Sequence, residues 1–168
     1  MASVHALTGS RRWIIGGVAL LLAVVSPLVA AAQTTAMTDA YRVDTGHTFV
    51  DAALTDINHY VERHPDAFLD ELEWYAGAAR APMAAWLARP GQQGADLYFG
   101  CQLAALLERS CARVMADFVE AGEGGWSSVL AGLTPPLERS QWAALETRIR
   151  ASYRRWERPL PVVTRKRG

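Results

Sequence analysis

The chain has 168 residues, 17 basic and 17 acidic side chains, 4 histidines and 2 cysteines. That length allows one domain with one core, and the zero net charge excludes a uniformly basic, nucleic-acid-coating protein. The zero hides an asymmetry: residues 39–138 hold 15 acidic and 6 basic side chains, a net −9, whereas residues 139–168 hold 9 basic and 2 acidic, a net +7.

Arg11-Arg12 precede an uncharged apolar run, residues 13–25, which Ser26-Pro27 breaks and which leads to Ala30-Ala31-Ala32. Basic, then apolar, then small is the order of a bacterial-type secretory signal peptide, and the best A-x-A match places cleavage after Ala32. The rival is an uncleaved anchor, for which residues 13–32 are long enough; Pro27 and the terminal alanines favour cleavage. No cysteine near Ala32 suits lipid attachment. Arg11-Arg12 also partly matches a twin-arginine signal, but Gly16 stands where that signal has lysine, so the ordinary secretory reading leads. The expected organisation is a signal peptide over 1–32, a flexible leader over 33–48, a helical domain over 49–159 and a basic tail over 160–168.

Helical periodicity starts at Val50, with Ala53, Leu54, Ile57, Tyr60 and Val61 on one face. His64-Pro65 ends that helix, because the residue before proline disfavours helical geometry, and Pro65 opens the next one. There Phe68, Leu69, Leu72, Tyr75 and Ala76 form the stripe, and Asp66, Asp70, Glu71 and Glu73 are expected on the solvated side. Gly77 is the terminator. Pro82 opens a short helix with Met83, Trp86 and Leu87 inward, stopped by Pro90-Gly91. Residues 95–108 are apolar nearly all round, which predicts a central buried helix. Ser110 caps the following helix, whose stripe is Val114, Met115, Phe118 and Val119. Glycines 122, 124 and 125 stop it, Trp126 to Leu133 form a further short helix, and Ser140 is the expected cap of a last helix carrying Trp142, Leu145, Ile149, Ser152, Tyr153 and Trp156. No segment alternates as a strand does, and the prolines at 159 and 161 argue against one near Val162. The predicted fold is all-α, a small bundle of about six or seven short helices.

Cys101 and Cys111 would stand about 15 Å apart on one continuous helix, too far for a disulfide, which needs Cα atoms within about 7 Å. Export favours pairing, so the chain must reverse at Glu108-Arg109-Ser110 and the bond staples an αα-hairpin. The spacing is not that of a C-x-x-C redox pair, which makes the structural role the expected one.

Catalytic and metal signals are weak. His47, His59 and His64 have eleven and four intervening residues, a spacing that fits no standard zinc pattern, so solvated or capping roles are expected and no metal. There is no nucleophile elbow, phosphate loop or dinucleotide fingerprint, hence no expected cofactor and no catalytic residue. Trp86, Trp126 and Trp142 lie on apolar stripes and read as core; Trp74 falls off its stripe and reads as exposed. The basic end is the distinctive surface. Arg148, Arg154, Arg155, Arg158, Arg165, Lys166 and Arg167 either pair internally with the acidic helices or meet an anionic envelope component or protein partner. Nucleic acid is disfavoured by export and by the acidic body.

Four stretches carry a resemblance: residues 51–60 (DAALTDINHY), residues 98–104 (YFGCQLA) with Cys111, residues 125–133 (GWSSVLAGL) and residues 153–159 (YRRWERP). Over them the chain resembles a group of small, uncharacterised secreted or periplasmic helical proteins of Gram-negative bacteria. Those proteins have a Gly-rich turn where this chain has Thr134-Pro135-Pro136-Leu137. The resemblance implies compartment and helical fold and transfers no catalytic residue. The leading expectation is a non-enzymatic periplasmic or secreted interaction protein without a membrane span in its mature form. The alternatives are an enzyme acting on envelope polymer through a carboxylate, and a small-ligand carrier with a tryptophan-lined cavity.

Overall fold

The computed structural model describes residues 43–163. Seven α-helices run in chain order: α1 Thr48–Arg63, α2 Pro65–Ala76, α3 Arg80–Leu87, α4 Gly94–Leu106, α5 Cys111–Ala121, α6 Gly125–Ala131 and α7 Arg139–Arg155, with a 3-10 turn, Gly122–Gly124, between α5 and α6. The described residues contain no strand. No helix among them is long and apolar enough to cross a membrane. The expected signal peptide and the tail cations Arg165, Lys166 and Arg167 lie outside the described residues.

The helix ends follow local chemistry. His64 closes α1 and opens α2, with Pro65 in the first turn of α2 where a missing N–H costs nothing. Gly77 ends α2 in the left-handed conformation (φ 66°), which lets the Ala78 N–H reach back to the Leu72 carbonyl. Ser110 caps α5 by accepting the Arg113 N–H. At the start of α7 the expected Ser140 cap gives way to Glu138, which shares a reciprocal capping box with Gln141; the helix therefore starts at Arg139.

The core is organised around α4. Every residue from Gly94 to Ala104 is buried, and the helix packs against α1, α2, α3, α5 and α7, which explains why its sequence shows no polar face. Cys101 and Cys111 are bonded, with Cα atoms 4.4 Å apart. The turn between them passes through Glu108, a non-glycine residue at φ 54°, where the Arg109 N–H bonds the Ala104 carbonyl. The α4–α5 hairpin is thus stapled as the spacing demanded. Trp126 pins α6 to this hairpin: its indole N–H donates to Asp96 Oδ1 at 2.8 Å, and its ring meets Phe99 edge-on and Phe118 face-on.

One expected boundary moves. The leader was to run to residue 48, but Val43 and Thr45 are buried. Thr45 donates from both N–H and hydroxyl to Asp51 Oδ1, at 2.9 and 2.7 Å, so residues 43–47 belong to the folded domain. A lone valine in a polar stretch carries no periodicity, and so gave no signal of burial.

Candidate functional site

α7 delivers its last turn against α1 and α2, and the contacts there are polar. Glu71 was expected on the solvated face of α2; instead it is 3% exposed. Arg155 grips its carboxylate through two donors, Nε to Oε2 at 2.7 Å and Nη2 to Oε1. Ser152 donates to Oε1 at 2.6 Å, and Tyr98 is hydrogen-bonded to Ser152 at 2.7 Å. The Arg155 guanidinium also covers the Tyr75 ring, 3.6 Å from its centroid. The hydrogen bond from Arg155 to Glu71 raises the guanidinium pKa further, so Arg155 stays charged. A bidentate arginine and a hydroxyl replace the hydration that the carboxylate loses.

One helical turn away lies a second pair. Arg158 Nη2 donates to Asp56 Oδ1 at 3.0 Å, and Tyr153 donates to Asp56 Oδ2 at 2.6 Å and to the Ala53 carbonyl at 3.1 Å. Burial raises the pKa of Tyr98 and of Tyr153, and the Asp56 carboxylate pushes Tyr153 higher still. Burial also raises Tyr60, with Arg158 opposing it.

Of the expected cationic residues, Arg155 and Arg158 therefore pair internally, Arg148 is half-buried along α7 and Arg154 is exposed. The structure does not assemble all of them into one patch. It brings Arg155 and Arg158 together with two residues that the sequence did not single out as cationic contacts, Arg63 and His64. These four, with Tyr60, Ala67, Trp156 and Glu157, line a depression of about 530 Å³ at the α1–α2 junction. Arg155 keeps Nη1 uncommitted to Glu71, and among the described residues Arg63 bonds only the His59 carbonyl of its own helix, at 3.1 Å. Trp156 stacks on Tyr60, with ring centroids 4.3 Å apart. Two buried N–H donors of these lining residues, Trp156 Nε1 and Arg158 Nη1, have no acceptor among the described residues. Among the described residues the only carboxylate in the lining is Glu157.

The other sequence candidates sit apart from this depression. His47 stacks on Trp142, with Nε2 3.4 Å from Glu146, and His59 is exposed on α1. No three His, Cys, Asp or Glu residues among the described ones converge as metal ligands would. Trp86 and Trp126 are buried and Trp74 is 77% exposed, as their stripes implied. Asp66, Asp70 and Glu73 do face solvent, gathered around Arg80. Arg63 could have been found from the sequence only as a cation one residue before the His-Pro break, where two helices must meet. Comparison with protein-family models, with curated proteins and with solved structures finds no match.

Proposed function

We propose that this is an exported, non-enzymatic binding domain, working in the periplasm or outside the cell, whose basic end holds an anionic group of an envelope component. The observation that carries the reading is the depression between α1, α2 and α7: three guanidiniums and an imidazole around about 530 Å³, with two buried N–H groups lacking acceptors among the described residues. An unmet buried donor costs about 1–3 kcal/mol, and a phosphate or carboxylate oxygen would supply acceptor and counter-charge together. The ion pairs with Glu71 and Asp56 support the same reading, since they hold Arg155 and Arg158 in place without using all their donors. Export is supported by the disulfide, a bond that persists in oxidising compartments, and by the order of residues 1–32.

The test is sedimentation with vesicles containing phosphatidylglycerol, compared with neutral phosphatidylcholine vesicles. Binding to the anionic vesicles should weaken steeply between 20 and ~200 mM salt, as exposed charge pairing does. Arg63→Gln, which leaves the internal pairs intact, should weaken it at least about tenfold, the effect of losing one charge-assisted contact. Absence of wild-type binding at low salt defeats the reading.

A further inference from the structure

A second concavity lies on another face, where α3 and α5 diverge above α4. It has a volume of about 690 Å³, within the range of small-molecule sites. Its walls are Met83 and Trp86 from α3, Leu97 from α4, and Met115, Ala116 and Val119 from α5. Val119 belongs to the apolar stripe of α5, yet it is 60% exposed; nothing in the described chain covers it. Methionines on both walls allow the lining to reshape around a flexible guest.

The polar groups are unevenly placed. α5 begins in this cleft, at Ser110, Cys111 and Ala112, and the first N–H groups of a helix form its positive end. Arg109 stands beside that start but is paired with Asp117 at 2.8 Å, whereas Arg89 lines the cleft with no acidic partner in ion-pair range among the described residues. Among the described residues the only acidic one in the lining is Glu120, nine residues after Cys111 on α5 and about 13 Å away at the helical rise. Trp86 adds a buried indole N–H without an acceptor among the described residues. The cleft is thus largely apolar, with the start of α5 and the guanidinium of Arg89 in its lining.

We infer that this cleft binds a single-chain amphiphile with an anionic head, a fatty-acid-like molecule lying along α5 with its head at the helix start and its tail against Met83, Trp86, Met115 and Val119. The inference is independent of the basic depression. Its test is calorimetric titration of the folded protein with laurate, dodecanol and dodecylammonium, each below its micelle concentration. Laurate should bind more tightly than dodecanol, and dodecanol more tightly than dodecylammonium. Ala116→Trp places a bulky ring in the cleft from an exposed position, so the core is untouched; it should weaken laurate at least tenfold while thermal melting stays two-state. Arg89→Gln should weaken laurate by about three- to tenfold and leave dodecanol unchanged, and Arg63→Gln should change neither. Failure of the wild type to bind laurate, or wild-type affinity in a folded Ala116→Trp variant, overturns the site. Dodecylammonium binding as tightly as laurate overturns the assignment of the head group.

Discussion

A carboxylate removed from water must find replacement partners, and Glu71 finds them in one arginine and one serine. Removing Arg155 would leave the buried charge with Ser152 alone. We expect Arg155→Ala to destabilise the protein by about 2–4 kcal/mol, near the range for breaking a buried pair and reduced because Arg155 is partly solvated. Replacing both partners, as Glu71→Met with Arg155→Leu, should recover most of that loss, since no uncompensated charge remains. Urea unfolding of the three variants separates the cases: a single substitution costing under about 1 kcal/mol, the worth of a surface pair, would show that the pair does not hold α7 to α2. Neither partner was legible alone. Glu71 sits beside three exposed acids on a helix whose periodicity tolerates it outside the stripe, and its partner lies 84 residues away. The one local sign was Ser152, a small polar residue on the apolar stripe of α7.

At the scale of elements, the start of α4 depends on close contact with α1. Asn58 accepts the Ala95 N–H through its side chain at 2.7 Å, supplying from a neighbouring helix the cap that Gln93 does not. Beside it, a Cβ on Gly94 would lie 2.9 Å from the Cβ of Val61, an atom that no rotamer change moves. Gly94→Ala should therefore push the helices apart and cost about 1–3 kcal/mol, the penalty for overpacking a core. Val61→Ala in the same chain should relieve part of it, and a double-mutant cycle by thermal melting measures the coupling. If alanine at 94 instead stabilised the protein, as its helix propensity alone predicts, the close approach would be refuted. Elements of this kind were largely readable in advance, because proline, glycine and serine punctuate helices locally and the cysteine spacing forces a reversal. The Glu138 cap has no such local sign, because Ser140 is the better cap by residue type and the choice depends on Gln141 reaching back. Inter-helix angles have no local code, so the depression at the basic end and the cleft beside α5 appear only once the helices are packed.

Across the whole molecule, tyrosines tie the helices of the core to α7, and they make stability sensitive to alkali. Tyr98 reaches α7 through Ser152, Tyr153 reaches α1 through Asp56 and Ala53, and Tyr60 stacks on Trp156. All three have raised native pKa values, chiefly from burial, whereas in the unfolded chain tyrosine ionises near pH 10. Above that pH the unfolded state binds fewer protons than the native state, so unfolding becomes more favourable as pH rises. The stabilising contribution is complete below pH 10 and is lost as pH climbs toward the native values. Each fully protected tyrosine should steepen the loss by about 1.4 kcal/mol per pH unit. We expect the urea midpoint to be flat with respect to these groups between pH 8 and ~9.5 and to fall sharply beyond pH 10. Absorbance at ~295 nm should show Tyr60, Tyr98 and Tyr153 ionising together with loss of helical circular dichroism rather than before it. Tyr98→Phe removes one such proton, costs its hydrogen bond to Ser152 at neutral pH, and should flatten the alkaline slope by about one tyrosine's share. Smooth tyrosine ionisation near pH 10 in a chain that remains helical would mean that these hydroxyls are open to solvent, and that α7 is not docked on α1 and α4 as the hydrogen bonds require.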